Sequence, residues 1–285
     1  MKKRLVIGVG AIVFMLLAGS VYGNTSLSVN LKSCLIVLGG TLISALLGFP
    51  LETFGDLLHS LRNIYRREDD AFEGTLQDIT KLARIRRSSG PRELNEEGNK
   101  TRNTFLRKGI ELIADGYARH EIHFILEKEY EFYLARKESQ INILNTMAKF
   151  SPAFGFLGTI IGLINILHNI NDSSQIAKGM SLALLTTLYG LLFTNFIFLP
   201  MAKKLSEHVK SEAMLLTIIL EGVLDISEGK NPMAISYRLQ SYLEANSPGR
   251  RSLQEPSTEE DVPAAARHLL GKFAMRKEDV AYKEG

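Results

Sequence analysis

The sequence has little cysteine and almost no net charge, and both shortages exclude classes of protein. Cys34 is the single cysteine among 285 residues, so an intramolecular disulfide and a metal site built from several cysteines are excluded. The 34 Lys and Arg against 31 Asp and Glu leave a net charge of +3, which gives no sign of a nucleic-acid-binding protein. Hydrophobic residues make up 45% of the chain, which is too many for a wholly disordered protein.

The common motifs of enzymes are also missing. His120 and His123 stand three residues apart, whereas the H-E-x-x-H zinc motif needs a spacing of four to place both imidazoles on one helical face. Gly8 and Gly10 lie in an apolar run rather than between a strand and a helix, where a dinucleotide-binding motif has its glycines. The sequence contains no G-x-S-x-G and no Walker lysine loop. We therefore expect no enzyme, no bound cofactor and no metal site.

Four stretches of the chain contain no Asp, Glu, Lys or Arg, although the average composition resembles that of a soluble protein. They are residues 5–30, 33–51, 150–170 and 179–202. An apolar run of about 18 residues or more is long enough to cross the hydrocarbon core of a bilayer as a helix. The sequence therefore predicts four transmembrane helices, with four very hydrophobic core helices of a soluble protein as the alternative.

The first of these runs has a second interpretation, as a secretory signal peptide. Lys2, Lys3 and Arg4 precede it, and it contains small residues at positions 18–20, as a cleavage site requires. Basic residues near membrane spans tend to stay in the cytoplasm. Eight basic residues flank the second, third and fourth runs, and most lie in the long charged loop between the second and third: Arg62, Arg66, Arg67, Arg136, Lys137, Lys149, Lys203 and Lys204. One arrangement satisfies them all: four spans, with both termini and the long loop in the cytoplasm. This arrangement favours retention of the first run.

Between and after the spans, the apolar residues repeat at helical spacing and strand signals are absent. The predicted fold is an all-α membrane protein whose transmembrane helices lie within residues 1–50 and 150–202. Residues 51–149 form a helical cytoplasmic domain, residues 203–244 form cytoplasmic C-terminal helices, and residues 245–285 form a flexible tail.

Within the cytoplasmic domain, residues 88–91 predict a turn and Gly116 predicts the end of a helix. A long helix from about Glu121 is predicted to run unbroken to residues 151–152, where span three begins.

Glycines and threonines give the third and fourth spans a distinct chemistry. Gly155, Gly158 and Gly162 follow one another in span three, and small residues at such spacing let helices approach closely in lipid. Thr159 lies within this glycine face, and Thr186 and Thr187 lie in span four. A threonine in a span often bonds only to its own helix, so helix packing and a polar ion path between the two spans both remain open. No span contains an acidic residue, so a partner subunit would have to supply the carboxylate for a conducted ion.

Four segments together resemble the MotA/TolQ/ExbB proton-channel family, and within it the flagellar stator A subunits of MotA/PomA type. They are CLIVLGGTLISALLGFPLE at 34–52, TFLRKGIELIADG at 104–116, SPAFGFLGTIIGLINIL at 151–167 and MSLALLTTLYGLLFTNFIFLPMAKKL at 180–205. The resemblance covers about residues 1–243. TolQ and ExbB relatives have three spans with the N-terminus outside, so the additional N-terminal pair of spans favours the stator branch. A TolQ/ExbB-like subunit that energises an envelope process is the alternative.

The resemblance implies a homopentamer in the bacterial inner membrane, surrounded by lipid and built around a dimer of a single-span MotB/PomB-like subunit. That B subunit would carry the ion-binding aspartate and anchor to peptidoglycan, and ion flow would turn the A ring against a flagellar rotor protein. Pro152 and Pro200 match the two functional prolines of the family, where each would interrupt a helix at the membrane edge. Thr159, Thr186 and Thr187 match the hydroxyls of sodium-type stators. Because Na+ prefers oxygen ligands as hard cations do, Na+ is favoured over H+ as the transported ion.

One departure from the family concerns the loop that faces the rotor. The family carries a basic residue three positions before a glycine and a glutamate five positions after it. With Gly90 as that glycine, Arg87 keeps the basic position and Asn95 replaces the glutamate. The rotor interface expected here comprises Arg87 with the nearby acids Glu93, Glu96 and Glu97. The departure implies either a contact shifted by a residue or two or a rotor of a different machine.

Overall fold

A computed structural model describes residues 27–64 and 69–246, and every element in these two ranges is helical, which confirms the predicted all-α class. The elements in chain order are α1 (Leu27–Gly48), α2 (Leu51–Asn63), α3 (Asp69–Ser88), α4 (Pro91–Gly98), α5 (Thr104–Ala114), α6 (Arg119–His168), α7 (Ser173–Leu192), a π-helical turn called here the π segment (Phe193–Phe198), α8 (Leu199–Ser227) and α9 (Pro232–Asn246). From Met233 onward α9 belongs to a second compact unit. The tail predicted at residues 245–285 begins two residues too early, since Ala245 and Asn246 still belong to α9, and its remainder from residue 247 lies outside the described residues.

Three stretches of helix in the described ranges are long and apolar enough to cross a membrane. They lie in α1 from Val29, in α6, and in the run Ser173–Ser227 formed by α7, the π segment and α8. Their outward side chains are large and apolar, as contact with lipid requires, and include Leu31, Leu35, Ile43, Phe156, Ile164 and Leu184. These stretches correspond to the second, third and fourth predicted spans. Of the first predicted span only residues 27–30 are described; they begin α1, which continues through Lys32 where a loop between the first two spans was predicted.

The charged part of the chain is organised around a core of large apolar side chains. Leu94, Leu106 and Ile110 are fully buried where α4, α5 and α8 meet. Gly109 lets α5 approach α8 closely, because a Cβ atom at this position would lie 2.7 Å from Cγ2 of Val223. Burial of one such leucine or isoleucine stabilises the fold by about 1.5–3 kcal/mol. The hydrophobic effect therefore holds this region together.

Local signals in the sequence explain where several helices begin and end. Asn103 caps α5, since its side-chain oxygen accepts from the backbone N–H groups of Phe105 at 2.9 Å and Leu106 at 3.2 Å. Gly116 follows α5 with a φ of +83° and Gly229 follows α8 with a φ of +68°, a region of backbone space in which glycine carries no steric penalty. The predicted helix end at Gly116 is confirmed.

The predicted interruption of a helix is wrong at Pro152. Helix α6 continues through Pro152 to His168. Proline has no N–H to donate to the carbonyl of Ala148 four residues earlier. The hydroxyl of Thr194 donates to that carbonyl at 3.1 Å and satisfies it from another helix. At Pro200 the chain also stays helical, but the turn before it widens into the π segment, where the N–H of Leu199 donates five residues back to Thr194.

The short helix α4 was not predicted. The predicted turn is real but occupies only Ser89 and Gly90, after which Pro91 begins α4. Proline suits the first position of a helix because that N–H has no helical partner in any case. The signal was present in the sequence, but the eight-residue helix was too short for its apolar periodicity to stand out.

Candidate functional site

Helices α6 and α7 pack against each other along a face of small residues. Gly155, Gly158 and Gly162 of α6 are all buried there. A Cβ atom on Gly158 would lie 2.5 Å from Cβ of Thr186, and one on Gly162 would lie 2.7 Å from the carbonyl oxygen of Gly179. A side chain at either position would therefore require the two helices to move apart. This is the geometry in which van der Waals packing, rather than the hydrophobic effect, joins helices in lipid.

The three threonines singled out by the sequence converge on one backbone carbonyl. The Oγ1 atoms of Thr159 and Thr187 lie 2.6 Å apart and form a hydrogen bond between α6 and α7. The carbonyl oxygen of Ala183 is within 3.3 Å of both hydroxyls and accepts from Thr186 at 3.0 Å. Four neutral oxygens are thus gathered at one level of the helix pair.

The structure separates the roles of these threonines. Thr186 is completely buried; its hydroxyl donates to carbonyls of its own helix and its side chain packs against Gly158. Thr187 is exposed on the surface of the chain and Thr159 is half-buried beside it. We call Thr159 and Thr187 the hydroxyl pair. It presents oxygen ligands of the kind that hard cations prefer, but no negative charge.

The predicted rotor-facing residues lie together on α3 and α4, but they are not equivalent. Arg87 and Glu93 are exposed and form no ion pair within the described residues, whereas Glu96 pairs with Arg92 at 3.4 Å. Glu97 is held by Lys81 and, at 2.9 Å, by Lys100. The hydrogen bond from Lys81, followed in size by the one from Lys100, lowers the pKa of the Glu97 carboxyl. Glu97 therefore links α3 to α4. It is not available to replace the glutamate that was expected at the position of Asn95.

A polar cluster that joins three helices was not predicted from the sequence. Tyr133 of α6 donates to Glu212 of α8, whose other carboxylate oxygen lies 3.7 Å from Nε2 of His208. Lys137 lies 3.8 Å from Glu212 and donates to Ser60 of α2 at 3.1 Å. Burial and the neighbouring Glu212 raise the pKa of Tyr133, so the phenol remains a donor. The two i, i+4 polar pairs were the signal in the sequence, but their helices are far apart in the chain.

The described helices define an all-α protein with three stretches suited to a membrane and a glycine-packed pair that carries hydroxyls. The model of the MotA/TolQ/ExbB proton channel family matches residues 97–217. The chain is 31% identical to chemotaxis protein PomA of Vibrio alginolyticus over 246 residues, which are 86% of this chain and 95% of that protein. It is also 31% identical to motility protein A of Treponema phagedenis over 245 residues, 86% of this chain and 94% of that protein.

The chain therefore belongs to the MotA/TolQ/ExbB proton channel family, on the side of the PomA and MotA stator proteins. The family is one of ion channels and not of enzymes. A solved structure supports the same family assignment. The flagellar MotAB stator complex from Bacillus subtilis contains a chain that is 26% identical, matched over 88% of this chain and 98% of that chain with a TM-score of 0.71.

Proposed function

We propose that this chain is the A subunit of a rotary stator that couples inward flow of Na+ or H+ across the bacterial inner membrane to torque on the flagellar rotor. The observation that carries the proposal is the hydroxyl pair, 2.6 Å apart on two helices that are packed through glycine. A hydroxyl pair at the surface of the protomer places oxygen ligands where a partner subunit can add a charge. The relatives of PomA and MotA type support the same function.

The partner in this proposal is a single-span B subunit that contributes an aspartate. Support comes from the spans themselves, since residues 150–170 and 179–202 contain no acidic residue. An ion path in a membrane normally includes an ionisable ligand. A homopentamer of this chain around a dimer of the B subunit would present five hydroxyl pairs to the central spans. Pro152 lies three residues after Lys149 and Pro200 lies three residues before Lys203, at the proposed cytoplasmic edge of the membrane, where they would pass movement to the rotor-facing region.

The proposed topology has four spans with both termini in the cytoplasm. The basic residues that flank the spans support it, as do the three apolar stretches of the described helices. A reporter fused to the N-terminus tests the orientation. A periplasmic reporter would contradict the proposed stator topology and would favour the TolQ/ExbB-like alternative.

The proposed rotor contact comprises Arg87 with Glu93 and Glu96, without Glu97. Between residues 81 and 102 there are seven Lys and Arg and three Glu, so this region carries a charge of +4. With Glu97 held by two lysines, the accessible contact is predominantly basic. Charge reversal of Arg87 should therefore weaken torque more than Glu97→Gln. Equal losses would contradict the assigned difference between the two residues, and unchanged flagellar torque in both variants would favour the alternative that this chain drives a different machine.

Thr159→Ala combined with Thr187→Ala tests the ion path. We expect the double variant to lose most ion-dependent torque while it still reaches the membrane, because the two oxygens that face the ion are gone. Thr41→Val is the matched control, since that hydroxyl is also in a span but donates to Val37 of its own helix at 2.6 Å. Unchanged torque in the double variant would mean that the two threonines serve only in helix packing, and it would contradict the proposal.

The transported ion is proposed to be Na+ because both hydroxyls of the pair are neutral oxygen donors suited to a hard cation. Swimming speed measured against Na+ concentration at fixed pH tests this point. A saturating rise with Na+ is expected. A speed that follows pH and ignores Na+ would identify H+ as the ion and leave the stator function standing.

A further inference from the structure

Thr194 has an unusual hydrogen bond, because its side chain donates to a backbone carbonyl of another helix, α6. Pro152 lies inside α6, so the carbonyl of Ala148 has no backbone donor four residues further on. A backbone carbonyl without a donor is costly where water is scarce, and side-chain hydroxyls are among the groups that can replace the missing N–H. Thr194 donates to this carbonyl at 3.1 Å from the π segment.

Three other threonine hydroxyls in the long helices use only the ordinary local pattern. Thr41, Thr186 and Thr217 donate to carbonyls of the preceding turn of their own helices. Thr194 instead donates across to α6, while the carbonyl of Gly190, four residues before it, accepts from Ser151 of α6 at 3.1 Å. The two helices therefore exchange one hydrogen bond in each direction at the level of Pro152.

We propose that Thr194 is a positioning residue for torque generation: its hydroxyl replaces the amide that Pro152 lacks and keeps α6 continuous from the hydroxyl pair to the cytoplasmic half of the helix. The inference rests on the proposed stator function. Thr159 lies seven residues beyond Pro152, about 10 Å along the helix axis at 1.5 Å per residue. Thr194 thus acts on transmission of movement and not on binding of the ion.

The physical consequence of losing the hydroxyl follows from the helix geometry. With the Ala148 carbonyl unsatisfied, α6 bends or takes up water at Pro152. Movement that begins at the hydroxyl pair is then absorbed at this bend before it reaches the rotor-facing helices. The ion site itself keeps its ligands, because Thr159, Thr187 and the Ala183 carbonyl bond to one another and not to Thr194.

The test compares Thr194→Val, which keeps the shape and removes the hydroxyl, with Thr194→Ser, which keeps the hydroxyl. The full chain is expressed with its B subunit, torque is measured on bead-tethered motors across a range of Na+ concentration and pH, and membrane abundance is measured by immunoblot. We expect Thr194→Val to lower maximal torque about twofold or more, the scale of coupling changes caused by residues that touch neither ligand. The ion concentration for half-maximal torque should stay unchanged, and Thr194→Ser should retain wild-type torque.

Three results would overturn the role of Thr194. They are wild-type torque in Thr194→Val, equal losses in the valine and serine variants, and a loss of torque accompanied by a shift in the half-maximal ion concentration. If the wild-type chain itself generates no ion-dependent torque, the proposed stator function fails and the positioning role falls with it.

A second measurement tests the hydrogen bond independently of torque. Pro152→Ala restores the missing amide, so Thr194→Val should lower the thermal unfolding midpoint of the purified complex in the wild-type background but not in the Pro152→Ala background. Equal shifts in both backgrounds would show that Thr194 does not stand in for this amide.

Discussion

The helix pair α6–α7 and the charged bundle of α3, α4, α5 and α8 are held together by opposite kinds of side chain. In the helix pair the contact residues are small, and the polar groups that meet there are hydroxyls and backbone carbonyls. In the bundle the contact residues are leucine, isoleucine and phenylalanine, with ion pairs at the margin. The difference reflects the solvent. Water drives the large apolar side chains of the bundle together, whereas in lipid the hydrophobic effect is absent and close packing of small residues contributes more to helix association.

The largest effect is expected from filling the glycine face. In Gly158→Leu the new Cβ atom would lie 2.5 Å from Cβ of Thr186, so α6 and α7 must separate. We expect loss of motility and of most membrane-inserted protein, measured by soft-agar swimming and immunoblot of the membrane fraction. Gly39→Leu is the control, because no atom lies within 4 Å of a Cβ atom placed there. Normal swimming of the Gly158 variant would show that the close approach is dispensable.

The next largest effect is expected in the core of the bundle. Leu106 is fully buried, so Leu106→Ala removes apolar contacts and leaves a cavity, at a cost of about 2–5 kcal/mol in the free energy of unfolding. Thermal unfolding of the purified complex measures the loss. Leu58→Ala is the control, since that side chain is 69% exposed and should change stability little. Similar losses in both variants would mean that this core does not limit unfolding.

A smaller effect is expected at the polar cluster that joins α2, α6 and α8. Tyr133→Phe removes the hydrogen bond to Glu212, at a cost of about 1 kcal/mol because the carboxylate is partly exposed. Tyr117→Phe serves as the control, since Tyr117 is exposed. Unfolding at neutral pH measures the difference, and an unchanged midpoint would contradict a stabilising role for the cluster.

The same tyrosine predicts a dependence on pH. Its pKa in the folded chain lies above the ordinary value of 10.0. Above pH 10 the unfolded chain loses the phenolic proton while the folded chain keeps it, so the unfolded state binds fewer protons and stability falls as pH rises. This contribution is fully present below pH 10 and should be absent in Tyr133→Phe. An equally steep alkaline loss in the variant would assign it to other groups.

The smallest effect is expected from Glu97, although it pairs with two lysines. All three side chains are at the surface, where ion pairs contribute little and salt screens them. Glu97→Gln should lower the unfolding midpoint slightly at low salt and not at all near 1 M salt, where the Debye length is about 3 Å. Because the pKa of Glu97 is lowered on folding, the wild-type advantage should also vanish as pH falls through its folded pKa. Glu111→Gln, at an exposed site without an ion pair in the described residues, is the control.

Much of the fold could be predicted because its signals are local. Absence of charge marks the spans, and the apolar repeat marks the helices. Pro152 could not be interpreted correctly, because the group that satisfies the missing hydrogen bond lies elsewhere in the chain. Thr194 is 46 residues from Ala148, and no feature near Pro152 reveals it. The candidate site was predicted only as a set of residues, since the distinction between buried Thr186 and exposed Thr187 requires the rotation of α7 against α6.

By itself, the sequence determined the helical class and the three apolar stretches that the structure describes. It also identified the glycines and threonines that α6 and α7 bring together. Composition and periodicity carry this information because each depends on neighbours a few residues away. Only the tertiary structure decided that Thr159 forms a hydrogen bond with Thr187, 28 residues later in the chain, and that Lys81 pairs with Glu97, 16 residues later. It also decided that α6 continues through Pro152 without a break. Each of these outcomes depends on which donor meets which acceptor when two helices pack, and a one-dimensional pattern does not contain that pairing.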